Sequence, residues 1–245
     1  MGRVSGGRAT YGHLVGVLVF AGGAPRIPGD LGHAATLGSG VLYEVLDDVS
    51  FRDLVDGSGA ACDALVAGAL RLQSAGVEVI TGDCGLLARY QREIGAALDV
   101  PFVSSSLLLV PLVWRLQGCT GAVGVITGHS GMLAAGHLVP AGIGDDIDVH
   151  VAGLQETPEF REVVMNGRST LDPDAMRDQV VDVARAMVVE RPDLRSIVLE
   201  CTNLPSYTRD VRRAVQLPVY DVLALVDVVR HATHPPAWTW NNDPG

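Results

Sequence analysis

A chain of 245 residues with 48% hydrophobic side chains is long enough for one large domain or two smaller lobes, each with its own core. Its 28 acidic against 18 basic side chains leave a net charge of −10 with no Lys/Arg run, which argues against nucleic acid as a partner. The 4 cysteines include no Cys-x-x-Cys pair and no histidine at zinc-like spacing, so neither a disulfide framework nor a metal site is signalled, and reduced thiols fit a cytoplasmic protein.

Residues 1–10 are rich in Gly, Arg and Ser and read as a loose tail. Arg3 and Arg8 ahead of the apolar run Leu14 to Ala21 have the shape of a signal peptide, but a first strand is the preferred reading, because the run is apolar at successive positions like a buried parallel strand. No apolar run reaches the roughly 18 residues of a membrane span. The loop Ala21 to Asp30, with its Gly and Pro residues, sits beyond the carboxyl end of that strand, where open α/β sheets bind ligands; Arg26 and Asp30 are its candidate contacts.

A second strand is predicted over Val41 to Leu46 and a helix over Ala60 to Gln73, with Leu65, Val66, Ala69, Leu70 and Leu72 on its apolar face. A strand then leads to Cys84, helical spacing runs from Leu86 to Leu98, and a short strand follows over Val100 to Val103. Ser104 to Ser106 reads as the cap of a helix over Leu107 to Leu116, with Ser105 also a candidate substrate contact. The alternation recurs: strands at Ala122 to Thr127 and Ile147 to Leu154, helices opening at Thr157-Pro158 and Asp172-Pro173, a strand at Ser196 to Glu200, a helix from Thr202-Asn203-Leu204-Pro205, a strand ending at Asp221 and a last helix to about Arg230. Residues 233–245 read as a second loose tail.

Two stretches organise this pattern. Val77 to Gly85 and Ser196 to Asn203 each deliver an acidic residue and then a cysteine, Asp83-Cys84 and Glu200-Cys201, to the end of a strand. Pro101 and Pro218 are separated by the same interval as the two cysteines, so strand, cysteine, helix and next strand recur in register. The fold class is therefore α/β with two similar halves: lobe one over 11–117, completed by 218–232, and lobe two over 118–217. In parallel sheets both cysteines fall at carboxyl strand ends, and pairing the lobes turns them toward one cleft. A thiolate there takes a proton from a carbon acid while the opposite thiol returns one, which inverts a stereocentre. A helix after each cysteine favours the thiolate, whereas Asp83 and Glu200 oppose it unless the pleat of the strand directs them away. Cys62 and Cys119 lack such settings and read as structural; so does the lone loop residue His129.

Gly82-Asp83-Cys84-Gly85, Leu199 to Tyr207 and Pro25 to Asp30 resemble the aspartate/glutamate racemase superfamily. The resemblance implies two flavodoxin-like lobes with the active site between them, an acid/base cysteine in each motif, no metal and no pyridoxal phosphate or other cofactor. It also implies that Thr202 and Asn203, with Thr127 and Ser130 after the first strand of lobe two, hold a substrate carboxylate. Gly85-Leu86 departs from the pattern after the first cysteine, which puts glutamate itself in doubt and leaves Gly85 as a backbone contact. The expected function is a cofactor-independent racemase or epimerase of a small carboxylate, an amino acid or a derivative, with Cys84 and Cys201 as the two bases. A cis/trans isomerase of an unsaturated diacid, a decarboxylase using the same thiols, and a binding protein without turnover are the alternatives. The expected partner is a small carboxylate, with no nucleic acid and no membrane; a homodimer follows only from the resemblance.

Overall fold

The computed structural model of the chain describes residues 6–8, 10–38 and 40–236. The loose-tail readings at 1–10 and 233–245 fall largely outside these residues, although Thr233 still closes the last helix. Strands β1 (Val15–Phe20), β2 (Val41–Leu46), β3 (Val79–Gly82) and β4 (Phe102–Val103) form one parallel sheet in the order β2-β1-β3-β4. Strands β5 (Ala122–Thr127), β6 (Val149–Gly153), β7 (Leu194–Leu199) and β8 (Val219–Tyr220) form a second, in the order β6-β5-β7-β8. The register repeats as well: Gly16 pairs with Ile80 as Gly124 pairs with Ile197, and Ile80 pairs with Phe102 as Ile197 pairs with Val219. The chain is thus α/β with two flavodoxin-like lobes.

Helices fill the connections. The first half contains α1 (Phe51–Asp56), α2 (Gly59–Ala75), α3 (Gln91–Ala96) and α4 (Val110–Leu116). The second half contains α5 (Ala135–Leu138), α6 (Pro158–Phe160, continued by a π-helical turn), α7 (Pro173–Glu190), α8 (Thr208–Val215) and α9 (Val222–Thr233). Sequence periodicity does not reveal α1, whose signal is a cap: Ser50 and Asp53 form a reciprocal capping box. Asp172 caps α7, and Asp221 caps α9.

A parallel sheet must bury both faces, and each sheet does so with one helix of its own and one from the other half. Leu65, Ala69 and Leu72 of α2 cover Leu18 and Ile80 of the first sheet, while Met176, Val180, Ala184 and Met187 of α7 cover Ile126 and Ile197 of the second. The opposite faces are exchanged. Val110 and Val113 of α4 pack on Val123, Val125 and Val198, whereas Val222 and Val226 of α9 pack on Val15, Val17, Val79 and Val103. Segment 218–232 is divided accordingly: β8 belongs to the second sheet and α9 to the face of the first. Among the described residues no helix is long and apolar enough to cross a membrane.

Candidate active site

The carboxyl ends of β3 and β7 meet where the lobes adjoin, and three loops supply the side chains between them. Asp83 follows β3, its N–H bound to Leu18 O at 2.9 Å, and Glu200 follows β7, its N–H bound to Ile126 O at 2.8 Å. Cys84 and Cys201 come next, close enough for the charge of one thiolate to bear on the other. The Cys201 thiol donates to Asn203 Oδ1 at 3.3 Å, whereas the Cys84 side chain caps none of the N–H groups of the turn that follows it. The two halves therefore present their sulfurs at equivalent strand ends but hold them differently.

Hydrogen bonds across the cleft connect most of the predicted residues. Arg26 donates to Asp30 at 2.8 Å and to Asp83 at 2.5 Å, so the loop after β1 is fastened to the end of β3. Asn203 donates to Asp30 and accepts from the Cys201 thiol at 3.3 Å. The Thr202 hydroxyl donates to the carbonyl of Asp83. Thr127 donates to Glu200 Oε2 at 2.7 Å. Arg26, Asp30, Gly85, Thr127, Thr202 and Asn203 thus gather around both cysteines. Ser130 is bound to Gln155 instead, and the Ser105 hydroxyl accepts from Leu107 N–H as the cap of a short 3₁₀ turn. Its neighbour Ser106 reaches the other lobe, donating to Leu199 O at 2.7 Å. Beside the cluster opens a mainly apolar pocket lined by Ile27, Asp30, Phe160, Asn203, Leu204 and Tyr207 among others.

The electrostatics differ from the sequence-based expectation. Cys84 is followed by a 3₁₀ turn (Gly85–Tyr90) and Cys201 by a bend before another (Pro205–Tyr207), so neither opens directly into an α-helix. Burial pushes both thiols well above their ordinary value, and the Glu200 carboxylate raises them further. The pleat of the strand does not remove Glu200 from the cysteines. Its side chain folds over Gly85, where a Cβ would run into the carboxylate, so glycine is required at this close approach. Burial, only partly countered by the Thr127 hydroxyl, pushes Glu200 up to about 7. Burial likewise raises Asp83, to about 6, although the Arg26 guanidinium and the N–H of Phe20 pull it down. Glu200 and Asp83 were legible as residues but not as members of the site, since an acid beside a cysteine carries no record of where its carboxylate points. Among the described residues, no group of three or more His, Cys, Asp or Glu side chains is placed to hold a metal ion.

No protein-family model matches the chain. A dimethylsulfoniopropionate lyase from Durusdinium sp. clade D is 31% identical over 208 residues, which make up 82% of this chain and 68% of that one. The chain belongs to this lyase family. Dimethylsulfoniopropionate lyase 5 from Emiliania huxleyi (strain CCMP1516) is 27% identical over 231 residues, covering 89% of this chain but only 45% of its own length, so this family member spans less than half of that relative. Solved structures agree on the fold. Unliganded arylmalonate decarboxylase superposes with a TM-score of 0.58 at 17% identity, covering 94% of this chain and 96% of its own. Aspartate racemase from Picrophilus torridus superposes with a TM-score of 0.53 at 15% identity, covering 89% and 94%. The fold is that of the aspartate/glutamate racemase superfamily. The expected activity is corrected: relatives named as lyases overturn the racemase or epimerase reading and with it the isomerase class. The reason is chemical. Removal of a proton beside a carboxylate begins racemisation and elimination alike, so an acid and a cysteine at a strand end do not by themselves separate an isomerase from a lyase.

Proposed function

We propose that the chain is a lyase that removes a leaving group from the β-carbon of a small carboxylate, with dimethylsulfoniopropionate as its substrate. The observation that carries this reading is the convergence of two cysteines from equivalent strand ends on one polar cluster, in a chain 31% identical to a lyase so named. A thiolate of Cys84 or Cys201 takes a proton from the carbon next to the substrate carboxylate. The electron pair left behind forms the carbon–carbon double bond, and the bond from the β-carbon to sulfur breaks with its electrons going to sulfur. Dimethyl sulfide and acrylate result, and the abstracted proton passes from the thiol to water. A sulfonium leaves as a neutral sulfide and needs no acid at the leaving group, so proton abstraction is the step that the protein must assist. The Cys201 thiol, whose hydrogen is directed to Asn203, is the better placed to remain protonated, which leaves Cys84 as the base.

The test is to incubate the purified protein with dimethylsulfoniopropionate and follow dimethyl sulfide by headspace gas chromatography and acrylate by proton NMR. Equimolar release of both, lost in Cys84→Ala, is the expected result. No release between pH 5 and pH 9, with turnover of malonates instead, would replace the elimination by decarboxylation.

A further inference from the structure

Among the described residues of the cleft, Glu200 is the acid that meets no cation. Its residue is 3% exposed, Oε2 is bound to the Thr127 hydroxyl at 2.7 Å, and Oε1 is buried without a hydrogen-bond partner. A carboxylate oxygen in that state is costly to keep ionised unless the group takes up a proton or finds a donor. The surroundings offer few. Cys201 adjoins it on the same segment, Cys84 approaches from the end of β3, and the backbone of Gly85 lies under the carboxylate. Asp83 and Asp30 bear on the thiols from the first lobe, and both are met by Arg26. The nearby hydroxyl of Ser106 is committed to Leu199 O. Among the described residues, the titratable groups beside Glu200 that are not engaged by Arg26 are therefore the two thiols.

We propose that Glu200 and the cysteine thiols share one titratable proton: the carboxylate holds a negative charge beside the resting thiols and takes the thiol proton when a thiolate forms. The exchange is balanced. One S–H bond breaks, one O–H bond forms on Glu200, and the single negative charge moves from oxygen to sulfur. The directions of titration agree, since after burial Glu200 is the largest influence raising both thiols, and Glu200 itself is raised to about 7. Glu200 acts through the cysteines and is a positioning residue. Its part in turnover rests on the lyase reading; its coupling to the thiols does not.

A shared proton leaves a distinct mark on pH dependence. Above the titration of Glu200, thiolate and protonated carboxyl are in fixed proportion, so thiol reactivity levels off. Without the carboxylate the thiols titrate against solvent, and reactivity climbs about tenfold per pH unit until they ionise. The experiment is alkylation of Cys84 and Cys201 by iodoacetamide from pH 5 to pH 10, read by mass spectrometry without substrate, in the native protein, Glu200→Gln and Thr127→Val. The native profile is expected to bend near pH 7 and flatten, and that of Glu200→Gln to keep rising. Thr127→Val removes the one hydrogen bond that favours the ionised carboxylate and is expected to move the bend upward. Superimposable profiles in the native protein and Glu200→Gln would overturn the coupling, as would an unmoved bend in Thr127→Val. Shifted profiles in a protein that releases no dimethyl sulfide would support the coupling and overturn only the choice of substrate.

Discussion

Asp83 and Glu200 stand in the same place in the two halves, one residue after the strand and one before the cysteine, yet they meet opposite fates. Asp83 accepts from Phe20 N–H and the Arg26 guanidinium, so its charge is paired and fixes the loop of Ala21 to Asp30 against β3. Glu200 has a hydroxyl on one oxygen and nothing on the other. The first half uses its acid to hold the cleft in shape, and the second leaves its acid to titrate. A repeated fold therefore need not divide its chemistry evenly between the repeats.

The largest test of this contrast lies at the sulfurs. Cys84→Ala and Cys201→Ala are each expected to lower release of dimethyl sulfide by about 10²–10⁴-fold, the usual worth of a positioned acid or base, with Cys84→Ala the more severe. Next comes the pairing of Asp83. Arg26→Met strands Asp83 and Asp30 in the interior and is expected to cost about 3 kcal/mol in urea unfolding, near the low end for a broken buried pair because Arg26 is 25% exposed. Glu200→Gln, by contrast, removes a charge that nothing balances and should not destabilise the protein at pH 8.

The pH dependence of stability separates the two acids further. Glu200 binds its proton more tightly folded, at about 7, than at its ordinary value of 4.5. The folded state then carries the extra proton between those values, so the contribution of Glu200 to stability is greatest at low pH, falls as pH rises toward 7 and levels off above it, by ~3 kcal/mol in all. In Glu200→Gln that decline should shrink to the part due to Asp83, which ends near pH 6. Urea unfolding at pH 5, 6, 7 and 8 measures both. Smaller again is Gly85→Ala, whose methyl group presses on the Glu200 carboxylate and should cost about 1–3 kcal/mol as overpacking. At the bottom of the scale, Cys119→Gly removes a side chain from a left-handed backbone position (φ 57) far from the cleft and should stabilise by at most about 1 kcal/mol without altering activity.

Much of the architecture was legible because buried parallel strands are written as unbroken apolar runs: Val15–Phe20 and Ala122–Thr127 lie where the pattern places them, to within a residue. The two motifs ending in Cys84 and Cys201 were legible for the same reason, each being a strand followed by a polar break. What could not be read is what tertiary placement decides. The helix after Cys84 is interrupted by a 3₁₀ turn, α4 crosses to the sheet of the other half, and the hydroxyl that spans the cleft belongs to Ser106 rather than Ser105. The thiols were expected to be eased toward thiolate by helix ends, but burial and an adjacent carboxylate are stronger than one turn of backbone dipole.

The exchange of helices between sheets also sets an order of assembly. Val15, Val17, Val79 and Val103 are packed against Val222 and Val226, which the ribosome makes well after them. Until α9 is synthesised, Leu31 and Leu37 cover only part of that face of the first sheet, and the remainder is a surface on which nascent chains stick to one another or recruit chaperones. The nascent first half thus stays dependent on residues more than a hundred positions downstream, and a stalled or truncated product would be expected to aggregate rather than persist as a folded half.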